Sequence, residues 1–178
     1  FENLTLSEQN KILDYKLFIY VCEGDDKERL DWFKTINIAG LKLTEQELRN
    51  ACYTGEWLTK AKERFSKVGC AGYAISSHLV KAEVNRQELL EVALRWISER
   101  EGITIEDYMA RHQHDTNADE LWTYFRSVCD WVDLKFKTTR KELINQPWNK
   151  FYEDCKDKSL DADELEKEIS TLLKDNEV

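Results

Sequence analysis

Two histidines in the stretch "RHQHD", residues 111–115, come closest to a metal-binding pattern in this chain. In a helix, His112 and His114 would point about 200° apart, so they could not share an ion, whereas an extended loop would place them on one side. We place them in a polar loop that precedes the next helix. No spacing fixes a third ligand and His78 stands apart, so we predict an interhelical loop and no metal site.

The common catalytic motifs are absent from the sequence. It contains no G-x-x-x-x-G-K-[ST], G-x-G-x-x-G, G-x-S-x-G or H-E-x-x-H pattern, which removes the usual phosphate cradles, nucleophile elbows and zinc protease sites. The chain has 35 aspartates and glutamates, so any carboxylate pair chosen from sequence would be arbitrary. The catalytic residues are unknown, and we expect the chain alone to catalyse no reaction.

A second candidate site is the stretch "WFKTINIAGLKLTEQELRN", residues 32–50. Asn37 follows Phe33 by one helical turn and lies along an apolar stripe. Asn tolerates a helix end, Gly40 permits the chain to reverse, and Thr44 can cap the next helix. On geometry we favour this reading as paired helix ends, while a binding site built from the same residues stays open.

Composition favours a helical protein that does not bind nucleic acid. Of 178 residues, 42% are hydrophobic and 34% charged, with only six glycines and one proline, which suits long helices better than many short strands. The formal charge of −9 repels phosphates. Basic residues cluster at 60–67 and 135–141, but acidic neighbours make solvated helix faces the favoured interpretation. No apolar run approaches a membrane span.

The cysteines indicate a reducing compartment. There are five, they are widely separated, and none forms a C-x-x-C pair. An odd, scattered set argues for reduced thiols in a cytoplasmic protein rather than a disulfide framework or a zinc clip.

Periodicity predicts one strand followed by many helices. The run "LFIYVC", residues 17–22, is the one convincing strand, and a lone strand needs partners that we expect upstream of Phe1. The absence of a starting Met and of a leader adds to the expectation that the chain is a piece of something longer. The best helical stripe runs from Ala118 to Phe136 and should form a central pillar. Helix starts are predicted at Thr5, Thr44, Asn85, Thr104, Thr116 or Asn117, Pro147 and Asp161.

The stretch of residues 32–50 resembles a known family. The pattern Phe33-x-x-Ile36-Asn37, Gly40, Leu43-Thr44, Glu47-Leu48-Arg49-Asn50 is similar to the third characteristic segment of the GmrSD-type restriction family. The resemblance is clearest from Lys16 to Trp57. The later "EDYMARHQHDTNADELW" also resembles members of that family that carry an HNH nuclease domain further on.

The resemblance implies a nucleotide-dependent nuclease. Such proteins use an N-terminal ParB/sulfiredoxin-like α/β domain, long listed as one of unknown function, to bind and hydrolyse nucleoside triphosphates, coupled to HNH cleavage of foreign, often modified DNA. The implied nucleotide-site residues are Phe33, Asn37, Gly40 and Arg49. For Arg49 the alternative is an ion pair with Glu45, which we prefer. The family's G-Q-Q-R motif and an HNH metal site are both absent from residues 1–178.

Taken together, we predict a mainly α fold, a multi-helix bundle with one short N-terminal β segment left from a truncated α/β domain. Residues 1–55 would end the nucleotide domain and residues 56–178 would form a helical linker or relay. The fragment itself would hold no cofactor, while the parent would use a nucleoside triphosphate and a divalent metal. Its partners would be the upstream nucleotide domain and downstream nuclease domain of the same chain, with DNA reached only through the parent. The alternative is a non-enzymatic helical protein-interaction module.

Overall fold

A computed structural model describes residues 1–17, 19, 21, 23–36, 43–83, 87–136 and 144–175. Over these ranges the chain forms ten helices and no strand, which confirms the mainly α prediction. The helices are α1 Leu6–Leu13, α2 Asp26–Ile36, α3 Glu45–Cys52, α4 Glu56–Phe65, α5 Ala71–Ser76, α6 Glu88–Glu101, α7 Ile105–His112, α8 Asp119–Lys135, α9 Trp148–Cys155 and α10 Ala162–Asp175. None of the helices in the described part is both long enough and apolar enough to cross a bilayer.

Helix α8 is the central pillar that its periodicity predicts. It packs against α4, α5, α6 and α9, and its residues Leu121, Phe125 and Val128 are fully buried. The helix begins at Asp119, whose N–H donates to Asn117 Oδ1 at 3.1 Å. The apolar face of this 17-residue helix thus organises the bundle around it.

Aromatic rings fill the space between the helices. The ring of Phe125 meets Phe65 edge-on at 5.1 Å between centroids and stacks on Trp96 at the same separation. Trp57 and Trp148 are each 1% exposed. These tryptophans act as core packing, as expected for large rings at helical spacing.

The N-terminal residues bury little. Helix α1 has the predicted capping box between Thr5 and Glu8, but it contributes no buried residue. Leu17, Ile19 and Val21 are 73%, 79% and 84% exposed and belong to no strand. The other three residues of the predicted strand lie outside the described residues, so the β segment stays a prediction.

One predicted helix start is wrong. Helix α6 begins at Glu88, after Gln87 in the left-handed conformation with φ 63°, whereas the predicted cap, Asn85, lies outside the described residues. Helix α4 ends at Phe65, and Val68 beyond it is 86% exposed. The segment before residue 80 contains the short helix α5, where Gly72 lets the backbone approach α4 closely.

Helix α3 belongs to the same hydrophobic core as the helices that follow it. Leu48 and Cys52 of α3 are 3% and 4% exposed and join the buried cluster that includes Trp57 and Leu89. Phe33 of α2 is half-buried and packs against this cluster. The division at residue 55 stays a prediction, and the core is continuous across it.

Candidate functional site

Helix α3 places three polar side chains towards the bundle. Its start is fixed by a capping box in which Thr44 accepts from the N–H of Glu47 while the Glu47 carboxylate accepts from the N–H of Thr44. From there, Gln46, Arg49 and Asn50 fall at positions i, i+3 and i+4, which share one side of a helix. Two of them are buried, Gln46 at 0% and Asn50 at 6% exposed.

Arg49 joins α3 to two other helices. Its Nε lies 2.7 Å from Glu106 Oε1 in the first turn of α7, and one terminal nitrogen lies 3.2 Å from Glu91 Oε1 in α6. The same terminal nitrogen lies 3.5 Å from Gln46 Oε1. The Arg49 side chain is only 12% exposed, so these contacts are partly shielded from water and salt.

The electrostatics of this cluster keep Arg49 charged. Burial alone would lower the pKa of Arg49, but the hydrogen bonds and negative charges of Glu106 and Glu91 outweigh burial and raise it. Burial, and then the charge of Glu106, raise the pKa of the neighbouring Tyr53 hydroxyl. The site is thus a cation held between two carboxylates, with the tyrosine kept neutral.

A second chain of hydrogen bonds runs beside the ion pairs. Gln46 Nε2 donates to Asn50 Oδ1 at 2.9 Å, and Asn50 Nδ2 donates to Gln87 Oε1 just before α6. Gln46 Nε2 also lies 3.9 Å from the sulfur of Met109 in α7. Because the amides are buried, losing one partner would leave its mate unsatisfied, which makes the junction sensitive to change.

The structure describes two of the four predicted nucleotide-site residues, on two different helices. Phe33 lies on α2, with its ring 5.4 Å from Trp32 in an edge-on contact. Arg49 lies on α3, in the ion cluster. Asn37 and Gly40 lie outside the described residues, so their predicted roles stay predictions.

The preferred pairing of Arg49 with Glu45 is wrong. Glu45 is exposed at the start of α3, while the Arg49 side chain turns inwards and forms its ion pairs with Glu91 and Glu106. Sequence spacing within one helix identified a local partner, but burial favours the acids of the facing helices.

The surroundings of Arg49 do not suit a triphosphate. Two carboxylates already engage the guanidinium, and their negative charge would repel a polyanion. A phosphate would have to displace both acids from a partly buried site. In this arrangement Arg49 serves as a structural cation that joins helices. Its role in a nucleotide site stays a prediction based on the resemblance.

The histidines do not share the loop that we predicted. His112 is the last residue of α7; its Nδ1 lies 2.7 Å from Asp115 Oδ2, and its ring stacks on Trp57 at 6.0 Å. His114 is exposed in the turn that follows. Within the described ranges, no group of three or more His, Cys, Asp or Glu side chains is arranged to hold a metal ion.

Sequence reasoning missed the acids and amides that complete the cluster. Gln46, Arg49 and Asn50 carried a usable signal, because three polar residues on one side of a short helix must either face water or find buried partners. Glu91 and Glu106 carried no such signal, since acidic residues are common in the first turn of a helix and these two lie in the first turns of α6 and α7. Only the packing of three helices brings them to Arg49.

Comparisons of this chain with protein-family models, with curated proteins and with solved structures give no match.

Proposed function

We propose that this chain is a helical relay, in which the segment up to α3 is coupled mechanically to the bundle that follows. A relay needs a junction that moves as one body or breaks as a unit. The observation that supports this role is the position of Arg49, which holds α3 to α6 and to α7 through two ion pairs. The buried amide chain from Gln46 to Gln87 runs alongside.

The resemblance to GmrSD-type proteins supplies the biological setting of the proposal. The chain would be an internal part of an NTP-dependent restriction protein that acts against modified phage DNA in the bacterial cytoplasm. Residues 17–22 would form the last strand of its nucleotide domain, and Phe33 and Asn37 would complete the edge of the nucleotide site. Triphosphate and a divalent metal would bind other parts of the parent, and DNA would be reached through its nuclease domain.

Nucleotide-dependent melting tests this proposal. ATP or GTP added to residues 1–178 should leave the melting temperature unchanged, because this chain supplies only one edge of the site. The same nucleotide should raise the melting temperature of a longer chain that includes the residues preceding Phe1, by ligand linkage. Equal and saturable stabilisation of both chains would contradict the proposal.

The second candidate function is a non-enzymatic interaction module. It is favoured by the exposed apolar residues at the N-terminal end, which include Leu6 at 77%, Leu13 at 71% and Ile19 at 79% exposure. Large apolar side chains concentrated on one segment are typical of surfaces that another protein covers.

Replacing Asn37 with Ala in the longer chain separates the two candidates. Loss of nucleotide hydrolysis with nearly unchanged stability favours a nucleotide site. A drop of about 1 kcal/mol in stability with unchanged turnover favours a helix-end role and the interaction module.

A further inference from the structure

Helix α6 begins after a residue in a rare backbone conformation. Gln87, which precedes the helix, is left-handed, with φ 63° and ψ 18°. Residues with a Cβ adopt this region uncommonly, because the Cβ crowds the backbone, and glutamine lacks the short polar side chain that lets asparagine and aspartate adopt it more often. Such a conformation persists only where the surrounding structure enforces it. Contacts around Gln87 must therefore hold it.

Two neighbouring residues of α3 bind the first turn of α6. Asn50 Nδ2 donates to Gln87 Oε1, and the guanidinium of Arg49 lies 3.2 Å from Glu91 Oε1. The main chain joins the two ends of that turn, because the N–H of Glu91 donates to the carbonyl oxygen of Gln87 at 3.1 Å. Adjacent side chains of α3 thus contact both ends of one turn of α6.

Asn50 is itself held firmly on the α3 side. It is 6% exposed, and its Oδ1 accepts at 2.9 Å from Nε2 of Gln46, which is fully buried. Because so little of Asn50 meets water, loss of the Gln87 acceptor would leave a buried amide donor unsatisfied. The bond from Asn50 to Gln87 is therefore an anchored contact between two helices.

A second set of contacts closes the turn before α6 without involving α3. The N–H of Glu83 donates to Glu88 Oε2 at 2.8 Å, and the N–H of Glu88 donates to the carbonyl oxygen of Glu83 at 3.3 Å. The first of these bonds is exposed to water. These local bonds are the alternative cause of the left-handed conformation at Gln87, and an experiment must separate them from Asn50.

The first turn of α6 also supplies residues of the core. Leu89 and Leu90 are 1% and 0% exposed, and α6 packs against both α8 and α9. The backbone of the first turn carries both leucines. A change of conformation at Gln87 would therefore reach the centre of the bundle.

We infer that Asn50 and Gln87 form a conformational latch, in which the hydrogen bond from α3 holds Gln87 left-handed and so completes the first turn of α6. When α3 detaches, Gln87 relaxes to a negative φ, its carbonyl oxygen leaves the N–H of Glu91, and the first turn opens. This inference rests on the relay proposed above and names the contact through which displacement of α3 reaches α6. The ion pairs of Arg49 hold the helices together, whereas the latch sets the backbone conformation of α6.

Two replacements of Gln87 distinguish the latch from a local turn. Gln87→Met keeps the length of the side chain but removes the acceptor, whereas Gln87→Gly removes the acceptor and also the strain of a positive φ. Hydrogen exchange of the Glu91 amide reports the first turn, because this amide bonds to the carbonyl of residue 87. We expect Gln87→Met to speed that exchange about tenfold relative to the Leu94 amide, and Gln87→Gly to change it by less than about threefold.

A nuclear Overhauser effect checks the backbone directly. The amide and α protons of one residue lie closest at positive φ, so this effect should be strong within Gln87 in the unmodified chain and weaker at the same position in Gln87→Met. Gln113→Met is the matched control, because it makes the same change at a residue with φ −52°. It should leave exchange of the Glu91 amide unchanged.

Three results would overturn the latch. Unchanged exchange of Glu91 in Gln87→Met would show that the local bonds between Glu83 and Glu88 hold the conformation. Equal acceleration in Gln87→Met and Gln87→Gly would show that the backbone stores no strain for Asn50 to restrain. A weak Overhauser effect within Gln87 in the unmodified chain would contradict the left-handed conformation. Both variants retain the ion pairs of α3, so failure of the latch appears in the Glu91 amide, while failure of the relay appears in the amides of α3.

Discussion

The Nε atom of Arg49 on α3 lies 2.7 Å from Glu106 Oε1 on α7, across 57 residues of sequence. A second ion pair, at 3.2 Å, joins the same guanidinium to Glu91 on α6. These contacts span the predicted division at residue 55. They make the end of the first segment part of the bundle's own polar junction.

Replacing Arg49 with Met should lower the free energy of unfolding by about 2 kcal/mol, because two partly buried carboxylates then lose their cation. Urea denaturation measures this loss. A double-mutant cycle with Glu106→Gln should give a coupling of about 1 kcal/mol. Arg126→Met is the control, since its pair with Asp130 is about 60% exposed on both sides and should contribute less than about 0.5 kcal/mol. Zero coupling between Arg49 and Glu106 would show that the pair does not secure α3.

Threonine caps should differ in importance according to whether their helices are packed. Thr44→Ala and Thr104→Ala remove side-chain acceptors at the starts of α3 and α7 and should each cost about 1 kcal/mol. Thr5→Ala removes the same kind of cap from α1, which buries no residue. We expect no change in the global unfolding free energy for Thr5→Ala. A loss there equal to that of Thr44→Ala would indicate that α1 is coupled to the core.

Gly72→Ala should destabilise the chain although it sits within a helix. Helix propensity alone predicts a gain of about 1 kcal/mol for this change. The added Cβ would, however, lie 2.8 Å from the carbonyl oxygen of Arg64 and 2.8 Å from Phe65 Cδ1, both on α4. We expect the clash to reverse the sign and cost about 1 to 3 kcal/mol. Increased thermal stability of Gly72→Ala would show that α5 does not pack this closely.

Stability should fall in alkaline solution because of buried thiols. Burial, and then the charges of Asp133 and Asp130, raise the pKa of the Cys129 thiol, so the folded chain keeps its proton longer than the unfolded chain does. Stability is therefore full below the unfolded thiol pKa and falls by about 1.4 kcal/mol for each pH unit above about 8.5. Denaturation curves at pH 7 and 9.5 should show a smaller difference for Cys129→Ala than for the unmodified chain. An unchanged difference would mean that other groups set the alkaline limit.

Local signals in the sequence predicted much of the helical fold. The capping boxes at Thr5, Thr44 and Asp161 are present, and the stripe of α8 is the central helix, because caps and periodicity depend on residues within one turn. The start of α6 was missed, since the left-handed Gln87 is held by tertiary contacts rather than by a cap of its own.

The polar junction was less predictable than the helices. Arg49 was a candidate from its position in a motif, but its partners depend on how α6 and α7 pack against α3. Spacing within α3 suggested Glu45, because sequence alone reveals neighbours one turn away and not those on facing helices.

Hydrogen exchange of the α3 amides tests the proposed coupling most directly. If α3 is locked to the bundle, its protected amides should exchange with the same opening free energy as those of α6 and α8, and Arg49→Met should lower that free energy for α3 first. The exposed helix α1 should exchange quickly in both proteins. The relay would be contradicted if the α3 amides exchange through a low-energy opening while those of α6 stay protected, and if Arg49→Met leaves the free energy of that opening unchanged.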